Sequence, residues 1–199
     1  MTPLLMLGAG RMGGALIEGW RAAGAFSPRD LIIRDPYPGD VANTAAKLGA
    51  RLNPPDSRLA EAGTVLVCVK PQIWREAAAQ VEPLLASDAV VVSIAAGVKS
   101  ADLAGAFGGR RVARIMPTTA VAIRQGVASV FAEDAEARRR AHALFAPVAQ
   151  VVDLADEALM HAATAVSGSS PAYLYAFIEA LEAAGLEAGL DAAAARSLA

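Results

Sequence analysis

The segment Leu4-Leu-Met-Leu-Gly-Ala-Gly-Arg-Met-Gly13 joins a short apolar run to a glycine-rich turn, and this junction is the strongest indication of the fold. The segment that follows, Met12–Ala23, has apolar residues at helical spacing and predicts an amphipathic helix. Gly8 allows a tight turn, Gly10 lets a ligand come close to the backbone, and Gly13 lets the helix pack closely on the strand. Since a helix N-terminus offers free N–H groups and a positive dipole end, this turn suits a pyrophosphate. The stretch predicts a dinucleotide-binding unit, although a glycine-rich turn alone also occurs as a purely structural feature.

An acidic residue stands where such a unit places its ribose contact. Asp35 lies 22 residues after Gly13, at the end of a second predicted strand, Leu31–Arg34. A carboxylate there accepts a hydrogen bond from a ribose 2′-OH and repels a 2′-phosphate, which favours NAD over NADP. Arg34 could instead pair with a phosphate, but neighbouring strand residues point to opposite faces. We therefore expect only one of the two side chains to face the adenosine, with NAD favoured and NADP left open.

Short β-branched runs alternate with Ala-rich helical segments, which predicts an α/β protein with a Rossmann-type, doubly wound sheet. The predicted strands are Leu4–Leu7, Leu31–Arg34, Val65–Val69, Ala89–Ile94, Arg111–Ile115 and Ala128–Phe131. Strand signals stop near Ala155, and the rest of the chain has helical character. We expect a dinucleotide-binding domain over residues 1–155 and an all-helical segment over residues 156–199.

Composition excludes several classes of protein. The 199 residues are 55% hydrophobic and 19% charged, which is too apolar for a disordered chain. A net charge of −2 gives no basic excess for nucleic acid or an anionic membrane. One cysteine, Cys68, and two histidines make a disulfide or a metal site unexpected. No apolar run approaches the roughly 20 residues of a membrane span, and no signal peptide is recognisable, so a soluble cytoplasmic protein is expected.

Two further segments follow predicted strands, where a doubly wound sheet places its ligand. They are Val69, Lys70, Pro71 and Gln72 after one apolar run, and Ala95, Ala96 and Gly97 after the next. The small residues of the second segment permit close approach of a flat ring. Lys70 offers a cation at the mouth of the cleft, but an exposed loop lysine would look the same in the sequence.

Five motifs in order carry a resemblance that covers essentially the whole chain. They are Gly8-Ala-Gly-Arg-Met-Gly13, Val69-Lys-Pro-Gln72, Ser93-Ile-Ala-Ala-Gly97, Arg114-Ile-Met-Pro117 and Ala165-Val-Ser-Gly-Ser-Ser-Pro-Ala-Tyr173. Together with the helical run Glu179–Leu190, they resemble the pyrroline-5-carboxylate reductase family. The glycine motif is shared with many dehydrogenases, whereas the serine–glycine–proline segment followed by this helix is specific.

The resemblance implies reduction of the cyclic imine 1-pyrroline-5-carboxylate to L-proline with NADH or NADPH, the last step of proline biosynthesis. It also implies a helical dimerisation domain after the nucleotide domain, hence a homodimer or larger homo-oligomer. Carried over, the cofactor-binding residues are Gly8, Ala9, Gly10, Arg11, Met12, Gly13, Val69, Lys70, Pro71, Gln72, Ala95, Ala96 and Gly97, to which the spacing argument above adds Asp35. The Met116–Thr119 turn and Ser167–Pro171 would border the nicotinamide and the substrate, with Thr118, Thr119 and Ser169 as catalytic candidates.

The sequence departs from the family pattern at several points. Thr118 replaces the usual Asn, Ser170 stands where Gly is common, and Asp35-Pro36 replaces an Asn-Arg pair suited to a 2′-phosphate. A Ser-Pro-Gly-Gly-Thr-Thr segment that contacts the substrate in the family does not occur among these residues. The sequence therefore predicts either a fragment of a longer chain or an active site that lacks one of its usual parts.

Two alternatives remain open from the residues. The altered turn and the missing segment leave room for a non-catalytic or degenerate dinucleotide-binding paralogue. A β-hydroxyacid-type dehydrogenase would use a lysine on the first helix of its second domain, but no lysine occurs between Ala165 and Ala199. His161 precedes the serine motif and is a candidate proton donor, although a lone helical histidine is more often a surface or packing residue.

Overall fold

The computed structural model describes residues 1–199 and contains one eight-stranded sheet flanked by helices. The strands are β1 (Leu4–Leu7), β2 (Leu31–Arg34), β3 (Arg51–Leu52), β4 (Thr64–Val67), β5 (Val90–Ser93), β6 (Val112–Pro117), β7 (Gly126–Phe131) and β8 (Ala149–Asp153). Their order is β3-β2-β1-β4-β5-β6-β7-β8. The first six strands run parallel, while β7 pairs antiparallel with β6 and parallel with β8. The order 3-2-1-4-5-6 confirms the predicted doubly wound Rossmann class.

Eight α-helices accompany the sheet. They are α1 (Arg11–Ala23), α2 (Asp40–Lys47), α3 (Trp74–Val81), α4 (Ser100–Ala106), α5 (Ala135–Phe145), α6 (Leu159–Ala163), α7 (Ser170–Glu187) and α8 (Ala192–Leu198). A π-helical turn, Thr164–Gly168, joins α6 to α7. No helix combines the length and the apolar character that crossing a membrane requires.

Two apolar clusters fill the two faces of the sheet. Along β1, Leu4 and Met6 pack into a cluster of 25 buried residues, and Leu5 and Leu7 into one of 18 on the opposite face. Because both faces of the central strands β1, β4 and β5 are covered, these strands have continuous apolar sequences rather than alternating ones. Trp20 anchors the first cluster, with its indole N–H donating to the Leu144 carbonyl at 2.7 Å.

Helix α7 contrasts with this core. None of its 18 residues is buried, although most of them are apolar. Its exposed large side chains are Tyr173, Leu174, Tyr175, Phe177, Ile178, Leu181 and Leu186. Folding of one chain therefore leaves an apolar helix face in contact with solvent, which is unusual for a monomer.

Candidate active site

The loops that carry the candidate residues leave from one edge of the sheet. They follow the C-terminal ends of β1, β2, β4, β5 and β6, which all run parallel. The strand order reverses between β1 and β4, and the crevice outside this reversal is the usual ligand position in doubly wound sheets.

The glycine-rich loop has the shape that its sequence predicts. Gly8 has a φ of +87°, and its N–H donates to the Arg34 carbonyl at 2.8 Å. A Cβ at Gly13 would lie 2.5 Å from the Gly8 carbonyl oxygen, so only glycine fits there. A Cβ at Gly10, by contrast, would meet no other part of the chain within 4 Å. Gly10 also caps α1 without a side-chain hydrogen bond, so the first N–H groups of the helix are not capped by a side chain.

Asp35 is fixed directly beside this loop. Its Oδ2 accepts the Ala9 N–H at 2.7 Å, and its Oδ1 accepts the Tyr37 N–H at 2.8 Å. The side-chain amide of Asn53 holds the Asp35 backbone from the other side, with bonds of 3.0 and 2.8 Å. The carboxylate thus braces the glycine loop and still has lone pairs for a ligand hydroxyl.

A cavity of about 820 Å³ adjoins Asp35, within the size range of ligand pockets. Arg34, Asp35, Tyr37, Asn53, Asp56, Val69, Ile73 and Glu76 are among its lining residues. Arg34 pairs with the Asp56 carboxylate, while its buried Nε has no hydrogen-bond partner. Both Arg34 and Asp35 line this cavity, because β2 ends at Arg34 and strand alternation does not extend to Asp35. That only one of them faces the adenosine stays a prediction.

The other two predicted cofactor segments flank the same crevice. Val69 packs against the glycine loop, since its Cγ1 would lie 3.0 Å from a Cβ on Gly8. Lys70, Pro71 and Gln72 are exposed beyond it. In the second segment Ala95 is buried, whereas Ala96 and Gly97 are exposed, and Gly97 has a φ of +74°. The structure brings both segments to the predicted edge.

The β6 end and the serine segment meet in space. A Cβ on Gly168 would lie 3.8 Å from Met116 Cγ, so the π-helical turn rests against the end of β6. Ser167 Oγ donates to the Ala163 carbonyl at 2.9 Å, whereas the Ser169 side chain does not cap α7. Thr118 Oγ1 accepts the Val127 N–H at 3.1 Å, and Thr119 is exposed. His161 is exposed on α6, in agreement with a surface role.

One charge cluster around the buried Arg114 was not predicted from the sequence. Glu157 Oε1 accepts hydrogen bonds from the Ser100 N–H at 2.6 Å, the Ser100 hydroxyl at 2.7 Å and Arg114 Nη1 at 2.9 Å. Burial alone would raise the pKa of Glu157, but the bonds from Ser100 and Arg114 outweigh it and lower that pKa. The ion-paired residues Glu157 and Arg114 lie 43 positions apart in the sequence, so no local sequence pattern indicates the pair.

Comparison with known families gives two matches within the chain. Residues 4–97 match the family described as NADP oxidoreductase, coenzyme F420-dependent. Residues 157–199 match the family described as pyrroline-5-carboxylate reductase dimerisation.

Individual relatives agree with these matches. A pyrroline-5-carboxylate reductase of Corynebacterium melassecola is 35% identical, over 100% of this chain and 76% of that protein. The solved pyrroline-5-carboxylate reductase of Coxiella burnetii superposes with a TM-score of 0.86 at 25% identity, covering 99% of this chain and 75% of the other. The Plasmodium falciparum pyrroline carboxylate reductase, solved with NADP bound, has a TM-score of 0.84 at 24% identity, covering 99% and 74%.

Proposed function

This chain belongs to the pyrroline-5-carboxylate reductase family, and we propose that it reduces 1-pyrroline-5-carboxylate to L-proline. The observation that carries the proposal is that a glycine-rich loop of dinucleotide-binding type and the family's serine segment lie at the same edge of the sheet. Gly10 and Asp35 lie at the crevice, and Gly168 lies against Met116 at the end of β6.

The loop fits a reduced nicotinamide dinucleotide, which when bound would supply a hydride to the imine carbon. The open space at Gly10 and the uncapped start of α1 suit a pyrophosphate, because backbone N–H groups and the helix dipole both favour an anion. The residues that would hold the dinucleotide are Gly8, Ala9, Gly10, Arg11, Met12, Gly13, Asp35, Val69–Gln72 and Ala95–Gly97.

The substrate side needs orientation more than acid–base power. A protonated cyclic imine is already electrophilic, so the protein has to hold it in place and exclude competing geometries. It also has to hydrogen-bond the ring nitrogen and the carboxylate. We assign these contacts to the hydroxyl groups of Ser169, Thr118 and Thr119, of which Ser169 is free of a capping bond.

We propose NADH as the preferred cofactor. Asp35 is held by Ala9 and Tyr37 at the edge of the cavity, with its charge unpaired by any cation. Arg34, the cation nearest to it in sequence, is already paired with Asp56. Because Glu76 adds a further carboxylate to the lining, the cavity carries a net negative charge that disfavours a 2′-phosphate.

We further propose that residues 1–155 bind the dinucleotide and that residues 156–199 belong to a dimerisation and substrate segment. The unburied apolar face of α7 supports a homodimer joined through these helices. A partner of the same sequence would cover that face, which a single chain leaves in water.

The decisive test is the loss of NADH absorbance after addition of 1-pyrroline-5-carboxylate, with NADPH in parallel. Turnover with formation of proline is expected. Tight NADH binding without consumption would contradict the proposal and favour a non-catalytic dinucleotide-binding paralogue.

A matched pair of glycine variants tests the cofactor loop. Gly10→Val fills the open space beside Gly10 in which we place the pyrophosphate. We expect this variant to lose NADH binding. Gly105→Val is the control, since a Cβ at Gly105 likewise meets nothing within 4 Å but lies in α4. Normal NADH binding by Gly10→Val would overturn the loop assignment.

A further inference from the structure

A single carboxylate oxygen ties the start of the helical segment to two elements of the sheet. Glu157 Oε1 receives the Ser100 N–H at 2.6 Å, the Ser100 hydroxyl at 2.7 Å and Arg114 Nη1 at 2.9 Å. Ser100 is the first residue of α4, and Arg114 lies in β6. We call Glu157, Ser100 and Arg114 the carboxylate clasp.

The ion pair makes the clasp persistent. The Arg114 side chain is only 6% exposed and that of Glu157 26%, so the guanidinium needs this counter-charge. An arginine that loses its partner inside a protein is strongly destabilising, because its charge stays buried and uncompensated. The clasp therefore holds its three residues together as long as Glu157 is ionised.

The residues of the clasp are close along the chain to two segments of the candidate site. Ser100 closely follows the Ala95–Gly97 turn, and Arg114 precedes Met116, which Gly168 contacts. Helix α6 begins two residues after Glu157 and leads through the π-helical turn to Ser169. A change at Glu157 would thus shift the serine segment relative to the β5–α4 turn.

We propose that Glu157 is a positioning residue, which sets the Ser167–Pro171 segment against the β5–α4 turn without touching substrate. The inference rests on the proposed function, in which the distance between these two segments affects the rate of reduction. In reactions that depend on orientation, a displacement of about 1 Å can cost about 100-fold in rate. Loss of the clasp should therefore lower kcat while leaving the dinucleotide loop intact.

Matched Glu→Gln variants provide the kinetic test. For Glu157→Gln we expect kcat to fall about 10- to 100-fold, with the Kd for NADH within about twofold of wild type. Glu136→Gln is the control, because Glu136 also pairs with arginines but lies on α5. A Glu157→Gln kcat within about twofold of wild type would overturn the proposal, as would an equal fall in Glu136→Gln.

A double variant separates positioning from stability. Glu157→Gln with Arg114→Met removes the buried unpaired charge, so Tm should recover relative to Glu157→Gln alone. Under the proposal kcat stays low, because the bond to α4 is still weakened and that to β6 is gone. Recovery of kcat together with Tm would show a purely structural role and overturn the proposal.

Hydrogen–deuterium exchange of the NADH-bound protein gives a readout that needs no turnover. In Glu157→Gln we expect faster exchange over both Ser100–Ala106 and Leu159–Gly168 and unchanged exchange in α1. In Glu136→Gln we expect the first two segments to exchange as in the wild type. Unchanged exchange in the first two segments of Glu157→Gln would overturn the clasp. If the wild type fails to reduce the imine, the proposed function fails, while this measurement still decides whether Glu157 joins the two segments.

Discussion

At the scale of single residues, Asp35 performs two tasks that one substitution can separate. Its Oδ2 braces the glycine loop through Ala9, and its charge faces the cavity. Asp35→Asn keeps an acceptor for the Ala9 N–H but removes the charge. We expect Asp35→Asn to raise the NADPH-to-NADH ratio of kcat/KM at least about fivefold, since one charge at short range contributes about 1 kcal/mol or more. An unchanged ratio in parallel assays would contradict the NADH proposal.

Glu136 is a half-buried carboxylate whose pKa departs clearly from its ordinary value. Hydrogen bonds from Arg139 and Arg140 lower the pKa of Glu136 to about 2. Because the folded-state pKa lies below the unfolded one, the stabilisation is complete above pH 4.5 and is lost as the pH falls towards 2.

Glu136→Gln mimics the protonated side chain and provides the measurement. We expect its urea midpoint to lie below that of the wild type at pH 7, and the difference to shrink progressively below pH 4.5. A difference that stays constant between pH 6 and pH 3 would show that the two arginines do not favour the ionised form.

At the scale of elements, Arg110 joins the turn that follows α3 to the end of α4. Its guanidinium donates to the Ala86, Phe107, Leu85 and Glu82 carbonyls and to Glu82 Oε1, at 2.7 to 3.4 Å. The side chain is 8% exposed, and the planar fork of donors has no counterpart in lysine. Arg110→Lys should therefore lower the free energy of unfolding by about 2–4 kcal/mol.

Arg58→Lys is the matched control for that prediction. Arg58 pairs with Glu61 at 2.9 Å, but its side chain is 52% exposed. Exposed ion pairs contribute little, so the change should stay within about 0.5 kcal/mol. If urea denaturation shows the same loss of unfolding free energy in both lysine variants, the planar set of donors on Arg110 does not hold these elements together.

The strands show which elements a sequence reveals. The six predicted strands exist because their runs are buried on both faces, as in β4 and β5. Strand β8 was not predicted, since it lies at the sheet edge with Gln150, Val152 and Asp153 exposed. Strand β3 was also missed, because two residues carry no periodicity.

The residues of the candidate site also differ in how far the sequence predicts them. The glycine loop and Asp35 follow from local spacing, because one β-α-β unit fixes their geometry. The clasp at Glu157 and the contact between Met116 and Gly168 depend on how distant elements dock. Such contacts join residues more than 40 positions apart, so a single sequence without the fold does not specify them.

At the scale of the whole molecule, the apolar face of α7 is the feature that folding of one chain leaves unexplained. Phe177 is 62% exposed near the middle of this helix, among other large apolar side chains. Exposed patches of this kind mark protein–protein interfaces, and a carboxylate placed in one must be desolvated on association. Phe177→Glu should therefore convert the expected dimer into a monomer in size-exclusion chromatography with light scattering.

Leu48→Glu is the control, since Leu48 is 52% exposed at the end of α2 and outside the α7 face. It should keep the mass of the wild type, and a dimer that survives Phe177→Glu would place the interface elsewhere. NADH affinity should stay within about twofold in both variants, because the glycine loop and Asp35 form within one chain. If Phe177→Glu loses NADH binding together with dimerisation, residues 1–155 do not bind the dinucleotide on their own, and the proposed division of the chain is wrong.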